Sequence, residues 1–518
     1  MGQKIVIDPV TRIEGHLKIE IEVENGVVKD AWSSSTMFRG LEILLQGKDP
    51  RDASYITERV CGVCAGSHGW VSALALDDAY GVELPEGGRL IRNLILGAMW
   101  LHDHPLHFYH LCALDYIDVM AVADYKGNDA KLNAVKDKIV KLVKAGDTSP
   151  LTPRYNPDQF SVKDPEIVTS AVAHYLQALE MQAKAKKMSA LFGGKQPHQS
   201  SIVVGGVTYY PDAQQVAQYQ SMLLEQINFL ENVYLADVVA FGTGPLLPLA
   251  QAGLGAGPGN YGSFGGFPQA NGEFFLPAGI ILDGDINNVQ KFDPAKVVED
   301  GKFAWLKDND EPLHPSVGVT AVDLDKADAY TFMKAPRYDG KPVELGPLAR
   351  MLVMKPQPLM DLITKYNIKP GAVARHAARA VETVLLAREM LKWVTELQDM
   401  MAKGNIRIHD TAHWATPETG KGMGLMEAPR GGLGHWIDIK DKKIANYQLV
   451  VPSTWNQSSR DAKGVRGPME EALIGVPVPD VENPINVVRV VRSFDPCLAC
   501  AVHLIEPNTN EIKKFQIV

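Results

Sequence analysis

The sequence of 518 residues predicts an α+β protein that is predominantly helical, with a central bundle of long helices and small antiparallel β elements. Apolar residues recur every three to four positions in four long segments, as buried amphipathic helices require. These segments are about 90–120, 165–191, 213–240 and 372–403. Near the N-terminus, apolar and charged residues instead alternate, which is typical of a half-buried strand.

The alternating segment runs from Leu17 to Glu24, and Asn25-Gly26 separates it from Val27-Val28. An Asn-Gly pair at this position is typical of a tight two-residue turn. We therefore expect an antiparallel β-hairpin close to the N-terminus.

The first helical segment carries a proline and four closely spaced histidines. Pro105 lacks a backbone N–H group and is expected to kink the helix. Histidines three positions apart lie on neighbouring turns, so metal binding is sterically possible. We favour packing and hydrogen bonding within the helices instead. The histidines are His102, His104, His107 and His110.

Residues from Gly253 to Gly272 are rich in glycine and predict a loop or a domain boundary. Within them, Gly257-Pro258-Gly259-Asn260-Tyr261-Gly262 matches the glycine fingerprint of dinucleotide-binding proteins. We reject a dinucleotide site, because no strand-like run precedes this match and no helical pattern follows it.

Composition argues against several classes of function. With 46% hydrophobic residues, the chain can bury a large core. A net charge of -9, without a Lys/Arg-rich block, argues against nucleic acid as a partner. No run of about 18 apolar residues occurs, so the chain is not expected to span a membrane on its own. The N-terminus lacks the pattern of a secretory signal, which by itself predicts a cytoplasmic protein.

Four of the five cysteines form two Cys-x-x-Cys pairs at opposite ends of the chain, Cys61/Cys64 and Cys497/Cys500. Groups of four thiolates bind soft or borderline transition metals, and this spacing lets both sulfurs of a pair reach one centre. The sequence therefore predicts a metal site that forms only when the two ends of the chain meet. Cys112 lies in a helical pattern and is interpreted as a buried apolar thiol.

Three other interpretations of the cysteine pairs fit the sequence less well. The two pairs of a zinc ribbon lie about 15 to 20 residues apart, whereas Cys64 and Cys497 are 433 positions apart. A thioredoxin-like redox site needs only one pair. A disulfide across two residues closes little chain entropy.

The residues around both pairs, together with three further motifs, resemble the large, catalytic subunit of nickel-iron hydrogenases over essentially the full length. The likeness is to the uptake type in its unprocessed precursor form. The motifs are Glu58-Arg-Val-Cys-Gly-Val-Cys-Ala-Gly-Ser-His68, Asp495-Pro-Cys-Leu-Ala-Cys-Ala-Val-His503, Arg12-Ile-Glu-Gly-His16, Phe38-Arg-Gly-Leu-Glu42 and Ala428-Pro-Arg-Gly-Gly432.

The resemblance implies an enzyme that cleaves H2 heterolytically into protons and electrons. Cys61 and Cys497 would be terminal nickel ligands, and Cys64 and Cys500 would bridge nickel to an iron that carries carbon monoxide and cyanide. A magnesium ion would be held by Glu42, His503 and the backbone carbonyl of Leu449.

The resemblance also assigns residues around the metals. Arg430 would lie over the open metal position, held by Asp103 and Asp495. Glu14 would take a proton from Cys497. The residues expected to contact the cofactor are Ser453, which would donate to cyanide, His68, which would hydrogen-bond near a bridging sulfur, and Pro429.

The implied partner is an iron-sulfur small subunit, because Cys112 alone cannot hold a cluster that needs four ligands. A maturation endopeptidase is expected to cut after His503 and to release residues 504–518. Export with the small subunit would place the protein in the periplasm or on the periplasmic face of the membrane. A cytoplasmic location is the alternative.

Two alternative functions are those of a non-catalytic relative and of a hydrogen sensor. A non-catalytic relative from the respiratory complex family would not retain both cysteine pairs. A hydrogen sensor would retain the pairs and typically lack the C-terminal tail.

The predicted organisation has five parts. They are residues 1–60, an N-terminal β-hairpin region; 61–250, the first part of the helical bundle; 251–345, a Gly/Pro-rich loop with a mixed α/β insertion; 346–503, the second part of the bundle with the C-terminal metal-binding region; and 504–518, a cleavable propeptide.

Overall fold

The computed structural model describes residues 2–149, 151–307, 311–404 and 406–498. The predictions for Cys500, His503 and residues 504–518 therefore lie outside the described residues.

The strands form small sheets rather than one large one. In chain order they are β1 (Gln3–Ile7), β2 (Leu17–Glu24), β3 (Val27–Ser35), β4 (Ile202–Val203), β5 (Gly206–Val207), β6 (Tyr261–Pro268), β7 (Phe274–Ile281), β8 (Val297–Asp300), β9 (Ala335–Tyr338), β10 (Glu344–Leu345), β11 (Thr419–Ala428), β12 (Gly431–Lys440) and β13 (Lys443–Val450).

The α-helices range from one turn to 31 residues. In chain order they are α1 (Leu41–Leu45), α2 (Ala53–Thr57), α3 (Ala65–Tyr80), α4 (Glu86–Pro105), α5 (Ala130–Lys144), α6 (Pro165–Gly193), α7 (Ala213–Phe229), α8 (Leu235–Thr243), α9 (Leu247–Ala252), α10 (Pro347–Met354), α11 (Gln357–Tyr366), α12 (Ala372–Ala402), α13 (Pro452–Asn456), α14 (Pro468–Leu473) and α15 (Ile485–Ser493). Among these described helices, none combines the length and the apolarity that a bilayer span needs.

The predicted N-terminal hairpin is confirmed. Strands β2 and β3 pair antiparallel, and Glu24 lies opposite Val27 across the turn. Asn25 and Gly26 have φ of 52° and 74°, as a type I′ turn requires. Strand β1 pairs with β2 and completes a three-stranded sheet, which the sequence did not predict.

The long helices lie where the apolar periodicity predicts them, with two local differences. The helix predicted over 90–120 is α4, and beyond Pro105 the chain continues as a π-helical segment, Leu106–Cys112. The helix predicted over 213–240 is divided into α7 and α8 by a π-helical turn, Leu230–Tyr234. Helix α4 packs against α6 and α12, and α12 also packs against α7.

The loop predicted over Gly253–Gly272 is wrong for residues 261–268, which form the buried strand β6. Strand β6 pairs antiparallel with β7 and parallel with β10. Its glycines allow close packing: a Cβ atom at Gly266 would lie 3.0 Å from the Cβ of Glu427 on β11. Glycine here reflects crowding in a sheet rather than a turn, which sequence alone does not distinguish. A strand and not a helix follows the rejected dinucleotide match.

Helix α3 lies directly on the sheet formed by β11, β12 and β13, which the sequence did not predict. Two glycines of β11 permit this contact. A Cβ atom at Gly422 or Gly424 would lie 2.0 or 2.1 Å from a backbone oxygen of α3. The helix that begins after Cys64 is thereby fixed against the strands that flank Arg430.

A buried ion pair connects α12 to β10, and its guanidinium also contacts the C-terminal end of α15. Arg375 donates two hydrogen bonds of 2.8 Å to the carboxylate of Glu344 on β10. The same guanidinium donates to Ser493 Oγ at 3.2 Å and lies 3.6 Å from the ring centroid of Phe494. Both charged side chains are almost fully buried.

Replacing Arg375 with methionine is expected to lower the free energy of unfolding by about 3–5 kcal/mol, because the Glu344 carboxylate is left buried without its partner. Urea unfolding followed by circular dichroism measures the change. Arg388→Met is the matched control, since Arg388 makes a similar two-bond pair with Glu231 at the surface. There a loss of at most about 1 kcal/mol is expected. Equal losses in the two variants would contradict the prediction.

Candidate metal centre

Three cysteine sulfurs from the two ends of the chain meet in the core. Cys61 follows a short 3₁₀ turn, Cys64 precedes α3, and Cys497 lies four residues after α15. The three Sγ atoms all lie within 4.8 Å of one another, and those of Cys61 and Cys497 are 3.3 Å apart. None of the three forms a disulfide, and each is at most 4% exposed. The disulfide interpretation therefore does not hold for these residues.

Two backbone N–H groups donate to one of the sulfurs. Those of Val63 and Cys64 donate to Cys61 Sγ at 3.3 and 3.2 Å. The N–H group of Cys497 donates to Ser453 Oγ at 3.0 Å, which fixes the backbone of that cysteine. Donors aimed at a sulfur favour its thiolate form, which is the form that binds metals.

Glu14 lies beside Cys497 through both backbone and side chain. Its N–H group donates to Pro496 O at 3.2 Å, and its carbonyl accepts from Leu498 N–H at 2.8 Å. The Cys497 thiol donates to Glu14 Oε2 at 3.2 Å. A carboxylate is thus in direct contact with one sulfur of the cluster.

Arg430 is held between two buried carboxylates. Its Nη1 donates to Asp103 Oδ2 at 3.1 Å, and its Nε lies 3.1 Å from Asp495 Oδ2. Burial opposes the charge of Arg430, but Asp495, Cys497 and Asp103 raise its pKa well above its usual value. Arg430 is therefore a fixed cation beside the sulfurs.

A small cavity adjoins the cluster. Its lining is mostly apolar, with two sulfurs, one guanidinium, one imidazole and one hydroxyl. The lining residues are Cys64, His68, Ala428, Pro429, Arg430, Leu433, Pro452, Ser453 and Cys497. The resemblance had named six of these as ligands or neighbours of the metals.

His68 belongs to a buried chain of polar groups that sequence reasoning missed. His68 Nδ1 lies 3.3 Å from His435 Nε2, and His435 Nδ1 lies 2.8 Å from the hydroxyl of Tyr447. Burial lowers the pKa of His68 to about 4 and that of His435 well below its ordinary value. In a strand, His435 lies on the same face as the buried Leu433, which would indicate that it is buried. The sequence analysis did not predict this strand, so the signal could not be used.

Glu42 and Leu449 lie in contact, and Thr320 and Lys334 are close to them. Leu449 N–H donates to Glu42 Oε1 at 2.9 Å, and Thr320 Oγ1 donates to Oε2. Burial raises the pKa of Glu42, although the nearby Lys334 ammonium opposes this rise. Thr320 and Lys334 carried no signal in the sequence.

The described residues hold one further group with metal-ligand spacing, formed by His107, Cys112 and His376. His107 Nε2 is hydrogen-bonded to the carbonyl of Arg492 at 2.6 Å. The charge of Arg379 further lowers the pKa of both histidines, after burial. Because a carbonyl oxygen only accepts, His107 Nε2 carries a hydrogen and offers no lone pair to a metal ion, so we assign this group to packing. Cys112 is buried as predicted.

The other histidines of the first helical segment also have partners. His110 is hydrogen-bonded to Gln182, His102 to Asp103, and His104 lies 3.2 Å from a Glu382 oxygen. Packing and hydrogen bonding were the predicted roles of these side chains.

Comparison with known proteins identifies the family. A family model described as nickel-dependent hydrogenase matches residues 39–503, and one described as HoxL-like matches residues 4–34. The periplasmic [NiFeSe] hydrogenase large subunit of Desulfomicrobium baculatum is 42% identical, over 98% of this chain and 96% of its own length. The uptake hydrogenase large subunit of Bradyrhizobium diazoefficiens is 36% identical, over 100% of this chain and 98% of its own length.

A solved structure gives the same result for the fold. The reduced, active form of the Ni-Fe-Se hydrogenase from Desulfomicrobium baculatum superposes with a TM-score of 0.85 at 41% identity, covering 97% of this chain and 100% of that one. The predicted family and enzyme class are confirmed. The chain belongs to the nickel-dependent hydrogenase large-subunit family and is the catalytic subunit of a nickel-iron hydrogenase, an oxidoreductase that acts on H2.

Proposed function

We propose that Cys61 and Cys497 are the terminal nickel ligands of this hydrogenase and that Cys64 and Cys500 bridge nickel to an iron carrying carbon monoxide and cyanide. The convergence of three buried sulfurs carries this proposal. Soft thiolate donors suit nickel and iron. When bound, the metals supply the Lewis acidity and the redox change that H2 cleavage needs.

The cavity beside the sulfurs suits small, weakly polar iron ligands. Its walls at Ala428, Pro429 and Pro452 are apolar, and the Ser453 hydroxyl and the Arg430 guanidinium supply polar groups. Ser453 is proposed to donate to cyanide, and Pro429 to pack against the same group of ligands. Exclusion of bulk water strengthens these hydrogen bonds.

Glu14 is proposed to accept the proton released at Cys497. The two side chains are already in hydrogen-bond contact, which is the first requirement of a general base. Arg430, which lines the cavity, is proposed to polarise H2 through its guanidinium group. Asp103 and Asp495 serve as positioning residues, because their carboxylates fix the direction of the guanidinium.

A magnesium ion is proposed at Glu42, with the carbonyl of Leu449 and with His503 as further ligands. Oxygen donors suit this hard cation. Burial raises the pKa of Glu42 because it destabilises the charged carboxylate. A bound cation would stabilise that charge, which supports the proposal.

Electrons are proposed to leave through an iron-sulfur small subunit. Once two cysteine pairs hold metals, only Cys112 remains in the sequence, too few for a cluster. The relatives that match are themselves named large subunits. One of them is named periplasmic. We therefore favour the periplasm or the periplasmic face of the membrane for this chain, which would be exported together with its partner. The cytoplasm is the alternative location.

Residues 504–518 are proposed to be a propeptide that a maturation endopeptidase removes after His503. The family match ends at residue 503, which supports a boundary at that position. A chain that still carries these residues would be the unprocessed precursor of an uptake-type enzyme.

The metal assignment is tested by elemental analysis of the purified complex. The parent is expected to hold nickel and iron in about equal amounts, and Cys497→Ser is expected to lose most of its nickel, because a terminal ligand is weakened. Cys112→Ala is the matched control and is expected to retain both metals. Zinc alone in the parent would refute the proposal.

Glu14→Gln is expected to lower the rate of H2 oxidation by about 10²- to 10⁴-fold at unchanged metal content, since glutamine keeps the contact with Cys497 but accepts no proton. Dye reduction under H2 measures this rate. Glu20→Gln, on the partly exposed strand β2, is expected to behave like the parent. A Glu14→Gln enzyme with more than half of the parent rate would exclude the role.

Maturation is tested by the intact mass of the large subunit. In metal-loaded enzyme the chain is expected to end at His503 and to lack the fifteen residues from Leu504 to Val518. Cells grown without nickel should yield the full-length chain. Active enzyme that still carries the tail would disprove removal.

A further inference from the structure

Pro429 and Arg430 form the two-residue turn between strands β11 and β12. Ala428 ends β11 and lies opposite Gly431, which begins β12. The two turn residues lie beyond the paired positions of the sheet, so its ladder hydrogen bonds do not by themselves fix their peptide groups. The direction in which the Arg430 side chain leaves the backbone therefore depends on contacts made by other elements.

Arg350 on α10 makes such contacts. Its Nη1 donates to Ala428 O at 3.0 Å, and its Nη2 donates to Pro429 O at 2.9 Å. The second carbonyl belongs to the peptide group that joins Pro429 to Arg430. The side chain of Arg350 is fully buried, so bulk water does not compete for these hydrogen bonds.

The Arg350 guanidinium is itself held on several sides. Nε and Nη2 donate to the Glu382 carboxylate on α12 at 2.5 and 2.8 Å, and Nη1 donates to Glu427 Oε2 at 2.6 Å. With the two carbonyls, these bonds use all five N–H hydrogens of an arginine. The guanidinium carbon also lies 4.6 Å from the ring centroid of Trp100. The donors that reach the turn are therefore fixed in direction.

The start of α10 contacts the turn at a second point. Gly346 directly precedes this helix, and a Cβ atom at that position would lie 2.9 Å from Arg430 O. The backbone of Arg430 is thus contacted both at the carbonyl that precedes it and at its own carbonyl.

We propose that Arg350 is a positioning residue for H2 cleavage: it fixes the turn that carries Arg430, so that the Arg430 guanidinium reaches both of its carboxylate partners. The inference rests on the proposed function, since it gives Arg350 a role through Arg430. Functional groups must be held to within about 0.5 Å of the working geometry. Lysine cannot take the place of Arg350, because it has three donors and no planar fork.

The alternative is a purely structural role. Arg350 would then only neutralise Glu382 and Glu427 in the core, and its loss would disturb the protein without acting through Arg430. A double-mutant cycle separates the two roles, because a residue that acts through another gives no independent loss once that other residue is changed.

Dye reduction under H2, in purified complex of parental nickel and iron content, measures the cycle. Arg430→Lys is expected to lower kcat by about 10²- to 10³-fold. Arg350→Lys is expected to lower kcat by about 10- to 100-fold and to leave the KM for H2 within about twofold, as misplacement of a transition-state group does. The double variant is expected to match Arg430→Lys within about threefold. Parental kcat in Arg350→Lys, or losses that multiply in the double variant, would overturn the inference.

Arg92→Lys is the matched control. Arg92 is also fully buried, and it binds the carboxylate of Asp77 and the carbonyls of Val203 and Gly206. None of these partners is among the described residues that line the cavity. This variant is expected to keep kcat within about twofold of the parent, and any loss should multiply with that of Arg430→Lys.

Glu427→Gln replaces Arg350→Lys in the cycle if that variant fails to assemble. Glutamine can still accept the hydrogen bond that Glu427 Oε1 receives from Phe264 N–H at 2.7 Å, but its contact with Arg350 loses the carboxylate charge. A loss of kcat of about three- to tenfold is expected, and none in the Arg430→Lys background. Parental kcat, or the same loss in both backgrounds, would contradict the positioning role.

Failure of the inference and failure of the proposed function are distinguishable. Arg430→Lys at the parental rate would refute the role proposed for Arg430, and the inference with it. A large loss in Arg430→Lys, with a further independent loss on adding Arg350→Lys, refutes only the positioning role.

Discussion

The metal centre depends on one short backbone contact between the two ends of the chain. Glu14 donates to Pro496 and accepts from Leu498, which places Cys497 beside residues that precede it by more than 400 positions. The entropy cost of closing such a loop grows only slowly with its length. It still has to be offset by interactions that hold the C-terminal segment in the core, since two hydrogen bonds alone contribute little.

Ion pairs of two arginines on α15 help to keep the C-terminal segment in the core. Arg492 donates two hydrogen bonds to Asp115, and Arg489 binds the carboxylate of Asp158. A buried ion pair is not strongly stabilising relative to apolar packing, but loss of one partner is costly. These pairs therefore penalise alternative placements of the helix that leads to Cys497. The same physical logic applies at Arg430, whose charge is compensated only when Asp103 and Asp495 both converge on it.

Close packing of backbone on backbone is the second structural requirement of the site. Helix α3 can approach β11 because Gly422 and Gly424 have no side chains, and this contact brings His68 and Ser72 to the sheet. The polar chain through His435 and Tyr447, whose hydroxyl donates to Ser72 Oγ, follows from that approach. A wider helix-to-sheet distance would leave these four groups without partners, at a cost in free energy for each unpaired group.

The sequence by itself determined the family, the long helices and the N-terminal hairpin, because periodicity, turn chemistry and two spaced cysteine pairs are local signals. It also indicated the sulfurs, Glu14 and Arg430 through motifs that the family shares. Only the tertiary structure decided that the glycine-rich segment contains a strand, because crowding depends on neighbours distant in sequence. For the same reason, only the tertiary structure showed that His435 and Tyr447 lie beside His68 and that Thr320 lies beside Glu42. Their hydrogen bonds cross between strands, helices and loops, and no local pattern encodes such contacts.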